Sequence, residues 1–188
     1  MKQFLLSIII LISFFSCNSG LTDTQKKMYA TKGKEIAQAT MKELAGNLMK
    51  QMKLGGTKVA VPFCNAAAYP LTEKMAKKYD VSIKRTSHKI RNPKNNPNNE
   101  EKKIIELYLA SLKKKEKLKP VVQKESDNKV HFYAPIILNK KCLACHGTVG
   151  KEVSKQTDSI IKSYYPNDKA TGFKVGDLRG IWSITFNK

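Results

Sequence analysis

Cys142-Leu143-Ala144-Cys145-His146 is the stretch of this 188-residue sequence whose residue types and spacing point most directly to chemistry. Two thiols three residues apart, with an imidazole immediately after the second, form the C-x-x-C-H pattern of covalent c-type haem attachment. The spacing has a chemical reason: the thiols add to the two vinyl groups of the porphyrin, and the adjacent imidazole reaches the iron from one side. A thioredoxin-like dithiol would need a βαβ context. A zinc site would need a second ligand pair, which Cys64, His88 and His131 do not form at any usual spacing. A plain disulfide across the two cysteines is the remaining alternative. The motif therefore assigns Cys142 and Cys145 as covalent attachment points of one haem c and His146 as an axial iron ligand.

The other two cysteines have different surroundings. Cys17 closes the apolar run of residues 4–15, with Ser16 before it and Asn18-Ser19-Gly20 after it. A run this short falls below the ~20 residues of a membrane-spanning helix. With Lys2 in front, it reads as an export signal that is later removed. The junction resembles a bacterial lipoprotein signal, in which Cys17 is acylated and becomes the first mature residue, although Phe14 stands where Leu is usual. An ordinary signal peptide cut nearby is the alternative. The expected location is the cell envelope, anchored to a membrane by lipid and facing the periplasm or the cell surface. Haem attachment through thioethers also happens outside the cytoplasm, so the two motifs agree. Cys64 is then left over, in the apolar, small-residue stretch Val59 to Pro70. It is either an inert buried thiol or a group with a use, and the residues alone leave both open.

Charge narrows the classes further. Lys+Arg number 35 against 15 Asp+Glu, a formal net charge of +20, yet only Arg85, Arg91 and Arg179 are arginine. Specific nucleic-acid readers concentrate arginines and stacking aromatics on one element. Here lysines are spread along the whole chain, so nucleic acid is not an expected partner. A solvated lysine surface suits anionic lipid or an acidic protein instead.

These residues need positioning elements. Residues 23–54 predict one long helix, with Ile36, Thr40, Leu44, Leu48 and Met52 at helical spacing and Gly55-Gly56 ending it. It is longer than a core this size requires, so it can project, and it offers a surface for a homodimer. A second helix is expected over 58–68 and a third from Pro70 to Lys78. Val81, Ile83, Arg85 and Ser87 alternate with polar residues, which predicts a strand with Arg85 on its apolar face. Residues 92–99 hold two prolines and five asparagines and predict a loop. A helix over 100–115, a hairpin of strands 119–125 and 129–138 about Asp127-Asn128, a helix over 152–163, a loop over 166–180 and a last strand 181–187 complete the chain. The order predicts an α+β domain around an antiparallel sheet. The mature-chain methionines Met28, Met41, Met49, Met52 and Met75 lie mostly at helical spacing and are expected to pack in the core rather than bind iron.

Several stretches together resemble a known family. Phe63-Cys64-Asn65, Arg85-Thr86-Ser87, Arg91-Asn92-Pro93 with Asn96-Pro97, the Cys142 to Gly147 segment, Tyr165-Pro166-Asn167-Asp168, Ala170-Thr171-Gly172-Phe173 and Gly176-Asp177-Leu178-Arg179-Gly180 occur in that order. As a set they are similar to exported c-type haem proteins with a PAS-like fold, catalogued as a domain of unknown function. The resemblance implies a PAS-like antiparallel sheet with flanking helices and a single haem whose iron is held by His146 and Cys64. The expected organisation is a signal peptide over 1–16, a tether over 17–22, the N-terminal helix over 23–56 and a PAS-like haem-c domain over 57–188. Arg85, on the apolar strand face, is the expected partner of a haem propionate. Arg91 and Arg179 are expected to tie loop carbonyls or to pair with Asp177 or Glu100. Two functions fit: a redox or small-ligand sensor acting through an unidentified signalling partner, or a periplasmic electron carrier with an acidic redox partner. No acid/base pair of the kind a peroxidase needs is visible, so an enzyme is the weaker expectation.

Overall fold

The computed structural model of the chain describes residues 20–187. The expected signal segment 1–16, Cys17 and its proposed acylation lie outside the described residues. The first helix, α1 (Asp23–Gly55), starts where Thr22 and Gln25 close a reciprocal capping box. At ~1.5 Å per residue it is about 50 Å long. Its buried residues Gly33, Ile36, Ala37 and Thr40 lie between positions 33 and 40, Leu44 still packs on the sheet cluster, and none of residues 41–55 is buried. Gly56 ends it at φ 62, a backbone conformation that glycine adopts without strain.

The chain returns along α1 as α2 (Thr57–Tyr79). Here the expectation of two helices is corrected: the helix is continuous, with Pro62 and Pro70 inside it. Each proline lacks the N–H that would bond the carbonyl four residues back, at Lys58 and Ala66. Packing against α1 along its length keeps the helix together through both interruptions.

Four strands form one antiparallel sheet in the order β1-β4-β3-β2, with β1 (Val81–Thr86), β2 (Val121–Lys124), β3 (Val130–Ile137) and β4 (Leu178–Phe186). Alternation sorts their side chains onto two faces. Val81, Phe132, Trp182, Ile184 and Phe186 meet Ile36 and Ala37 of α1 on one face. Tyr133 and Ile181 meet Ile104, Ile105 and Tyr108 of α3 (Asn99–Lys113) on the other. Each such side chain contributes about 1.5–3 kcal/mol by leaving water. The fold is therefore α+β, an antiparallel sheet with flanking helices and a long N-terminal helix.

Smaller differences from the sequence reading have local causes. Within the Asn/Pro loop, Pro93–Asn95 make a 3₁₀ turn capped by Asn92, and α3 starts at Asn99 because Asn98 and Glu101 form a capping box. The last strand begins at Leu178, three residues before the expected 181, because Leu178 and Gly180 already pair with Ile137 and Ile136. Of the described methionines, only Met75 is in the core; Met28, Met41 and Met49 are exposed, Met28 and Met41 in the stretch of α1 whose Tyr29, Ile36, Ala37 and Leu44 take the sheet-facing positions.

Candidate functional site

The C-x-x-C-H residues sit where β3 leaves the sheet. Asn139 opens a 3₁₀ turn, Lys140–Cys142, by accepting the Lys141 N–H at 2.9 Å. One helical turn, α4 (Leu143–His146), follows. A neighbouring loop holds this turn in place: Phe173 N donates to the His146 carbonyl at 2.9 Å and Gly172 N to the Gly147 carbonyl at 2.8 Å. The Cys142, Cys145 and Cys64 thiols are all free, so no disulfide bridges the motif.

The decisive geometry is at His146. Its Nδ1 lies 2.7 Å from the Ala170 carbonyl oxygen. A carbonyl only accepts, so Nδ1 carries the proton and Nε2 keeps its lone pair. Burial, with help from the Arg179 and Arg91 charges, holds its pKa well below the usual histidine value, which keeps the ring neutral. A neutral imidazole anchored through Nδ1 is the arrangement of metal-binding histidines.

Arg91 organises the backbone around it. Its Nε and Nη2 each donate to one carboxylate oxygen of Asp168 at 3.1 Å, and Nη2 also donates to the Cys145 carbonyl at 2.7 Å. Asp168 in turn accepts the Ala170 N–H at 2.9 Å, and Arg91 Nη2 lies 3.4 Å from the Ala170 carbonyl that receives His146, so the pair holds this residue from both sides. The expectation of loop carbonyls as partners holds for Arg91 and for Arg179, which donates to the Lys89 carbonyl at 3.1 Å. The expected acidic partners are corrected. Arg91 pairs with Asp168, while Asp177 accepts the Lys174 N–H and Glu100 pairs with Lys103. Asp168 and the Ala170 carbonyl had no assigned role in the sequence reading. Their signal was present in the Tyr165 to Phe173 stretch, where only the loop connecting them, not the contact to His146, is readable.

Cys64 reaches the same region from α2, which packs on α5 (Lys155–Tyr164). Val61, Ile161 and Tyr165 form a buried cluster with Cys145 against it. Burial pushes the Cys64 thiol pKa up and the nearby Cys145 adds to this, while Arg85 and Arg91 pull it down. Thus Cys64, Cys145 and two arginines, far apart in sequence, share one neighbourhood. Arg85 lies across from Trp182, its guanidinium 6.0 Å from the ring centroid. Burial pulls its pKa down, and the groups opposing this are Cys64, Tyr69 and Tyr165, none of them a carboxylate. Burial likewise brings Arg179 down to about 10, with Arg91 adding to the effect. Arg179 feels both Arg91 and Arg85, offset by Asp168, and Arg85 has no carboxylate partner, so this region can receive a further anion.

The other histidines are placed elsewhere. His131 is 8% exposed on the α3 face of the sheet, bonded to Asp127 at 3.2 Å and Thr185 at 3.1 Å. His88 is exposed, edge-on to Phe173 with centroids 6.0 Å apart. Among the described residues, no three His, Cys, Asp or Glu side chains converge to hold a bare metal ion. The donors present fit a porphyrin-borne iron instead: two thiols to attach the ring, an oriented imidazole, a thiol from another element and unpaired guanidiniums for carboxylates.

No curated protein matches the chain significantly. Among solved structures it is similar to the crystal structure of the cyanobacterial heme-protein Tll0287, with a TM-score of 0.64 and 24% identity over 83% of this chain and 92% of that one. That level of identity bears on the fold. The Tll0287-like family matches residues 21–187, which takes in every element described above. On that match, the chain belongs to the Tll0287-like family.

Proposed function

We propose that the protein is an exported c-type haem protein that senses redox state or a small ligand. One haem is attached through Cys142 and Cys145, with His146 and Cys64 as axial ligands and Arg85 toward a propionate. The observation that carries this reading is the 2.7 Å contact from His146 Nδ1 to the Ala170 carbonyl, which leaves Nε2 as a donor beside two free thiols. The heme named for the structurally similar protein agrees with it. When bound, the group supplies a one-electron iron centre that can also take a diatomic ligand.

The chain's own residues would set how that centre behaves. Arg91 and Asp168 fix the carbonyl that orients His146, so the imidazole side is rigid. Cys64 lies on α2 between the two prolines, where the helix has lost two backbone bonds, so this side can yield more easily. A thiolate favours the oxidised iron, and its departure on reduction would open a coordination position. Movement of α2 would pass to α1, against which it packs.

The test is to compare spectra of the oxidised and reduced protein, with and without CO. Loss of the thiolate signature on reduction together with CO binding is the expected result. Retention of both ligands in both states, with no CO adduct, would make the protein an electron carrier. Acid–acetone extraction should leave the haem on the polypeptide; a colourless product from a strain competent in haem attachment would end the reading.

A further inference from the structure

We propose that the loops around Cys142 form a docking face for an acidic one-electron carrier protein. Its redox content rests on the haem reading above, whereas its location rests on the surface itself. Residues 137–142, 146–153 and 168–177 are brought together here by backbone bonds. Gly176 N donates to the Leu138 carbonyl at 2.9 Å, Leu138 N to Asp177 at 3.1 Å and Gly172 N to Gly147 at 2.8 Å.

The outward side chains of this surface include five lysines that form no ion pair. Lys140, Lys141, Lys151, Lys169 and Lys174 are exposed. Among the described residues none lies in an ion pair, as is true of most lysines of the chain, so it is their grouping around Cys142 that sets these apart. The acids of the same loops are engaged locally, and of them only Glu152, beside Lys151, is exposed. Asp168 holds Arg91, Glu152 accepts the Thr148 N–H at 2.9 Å, and Asp177 accepts the Lys174 N–H at 2.7 Å. Five exposed lysines against one exposed carboxylate leave this surface net positive where it meets solvent.

Aliphatic side chains are exposed on the same loops: Ile137 at 41%, Val149 at 41% and Val175 at 57%. Aliphatic contacts among lysines match the mixed character of transient interfaces, in which charge steers the encounter and a small dry contact holds it. The surface also adjoins the reactive group. Cys142 lies at the rim, its thiol 3.4 Å from the Asn139 side-chain oxygen, while Cys145 packs inward against the Val61–Ile161–Tyr165 cluster. A docked carrier would thus meet the Cys142 edge, passing one electron to ferric iron and becoming oxidised by one electron itself.

The probe is flavodoxin, an acidic protein whose flavin hydroquinone gives up one electron to become the semiquinone as the ferric protein becomes ferrous. Stopped-flow reduction is compared for the mature protein, a Lys140→Glu/Lys141→Glu/Lys174→Glu variant and a control, Lys113→Glu/Lys114→Glu/Lys117→Glu, with the same net charge. At low ionic strength the first variant should slow about tenfold or more while the control stays close to the parent, and the three should converge at high salt. Equal slowing in both variants, or none in the first, overturns the proposal. An NMR titration of the protein with oxidised flavodoxin should shift resonances of residues 137–153 and 168–177; shifts confined to other surfaces overturn it too. Absence of bound haem would sink the haem reading, while the NMR map would still decide the docking face.

Discussion

Cys64 carries most of what is distinctive at the level of single residues, because it comes to Cys145 from a separate helix and forms no disulfide. Cys64→Ser is expected to abolish a thiolate-type ferric spectrum while the covalent haem remains, and the potential should rise as the electron-rich donor is lost. His131→Ala and His88→Ala should leave that spectrum unchanged, since His131 is engaged on the far face of the sheet and His88 is exposed. Loss of the low-spin form in either histidine variant, with Cys64→Ser intact, would mean bis-histidine ligation. Arg85→Ala should loosen the haem or shift its potential, a charge-assisted bond being worth about 1.5–3 kcal/mol. Arg85→Lys should restore this only partly, because an ammonium is not a planar fork. If neither variant changes spectrum, potential or stability, Arg85 is reduced to its stack on Trp182. Asp168→Asn tests the support beneath His146. The pair's side chains are 14% and 3% exposed, and leaving Arg91 unpaired should cost about 3–5 kcal/mol in urea unfolding. Unchanged stability would show that the Arg91 contacts to backbone suffice.

At the scale of elements, α1 is seated by a close approach rather than by apolar side chains alone. A Cβ at Gly33 would lie 2.2 Å from the Phe132 ring, whose exposure is nil. Gly33→Ala must push α1 off the sheet, and a loss of about 1–3 kcal/mol is expected from overpacking. Gly46→Ala, where a Cβ meets nothing, is the control and should be neutral or slightly stabilising in thermal unfolding. Periodicity and capping made much of this layer legible. The Asp127-Asn128 turn, the strand placing Arg85 on the apolar face and the long first helix all follow from local rules that the fold obeys. The continuous α2 was not legible, because proline signals a break locally and the packing that overrides it comes from a helix elsewhere in the chain. The same holds for the site. The C-x-x-C-H residues are contiguous and read directly, whereas the Arg91–Asp168 pair spans 77 positions and the His146–Ala170 contact 24, distances that only the folded chain closes.

For the whole molecule, two forces could hold it at a membrane, and they respond differently to salt. Among the described residues no helix is long and apolar enough to cross a bilayer. The sequence reading instead places lipid on Cys17, five residues before Thr22 caps α1. Cleavage before Cys17 would remove Lys2 and take the side-chain charge from +20 to +19, still strongly attracted to anionic lipid. Lysine adsorption is screened within about 3 Å at 1 M salt, but insertion of acyl chains is not. A high-salt wash of the membrane fraction should therefore leave the parent protein bound. Cys17→Ala should yield soluble or unprocessed protein, and any of its processed form that adsorbs through lysines should wash off. Release of the parent by salt would mean that charge alone holds it. A processed Cys17→Ala protein that stays anchored through the wash would show that the anchor is not a lipid on this residue. In either case the long α1 would have to be explained without a lipid fixed at its start.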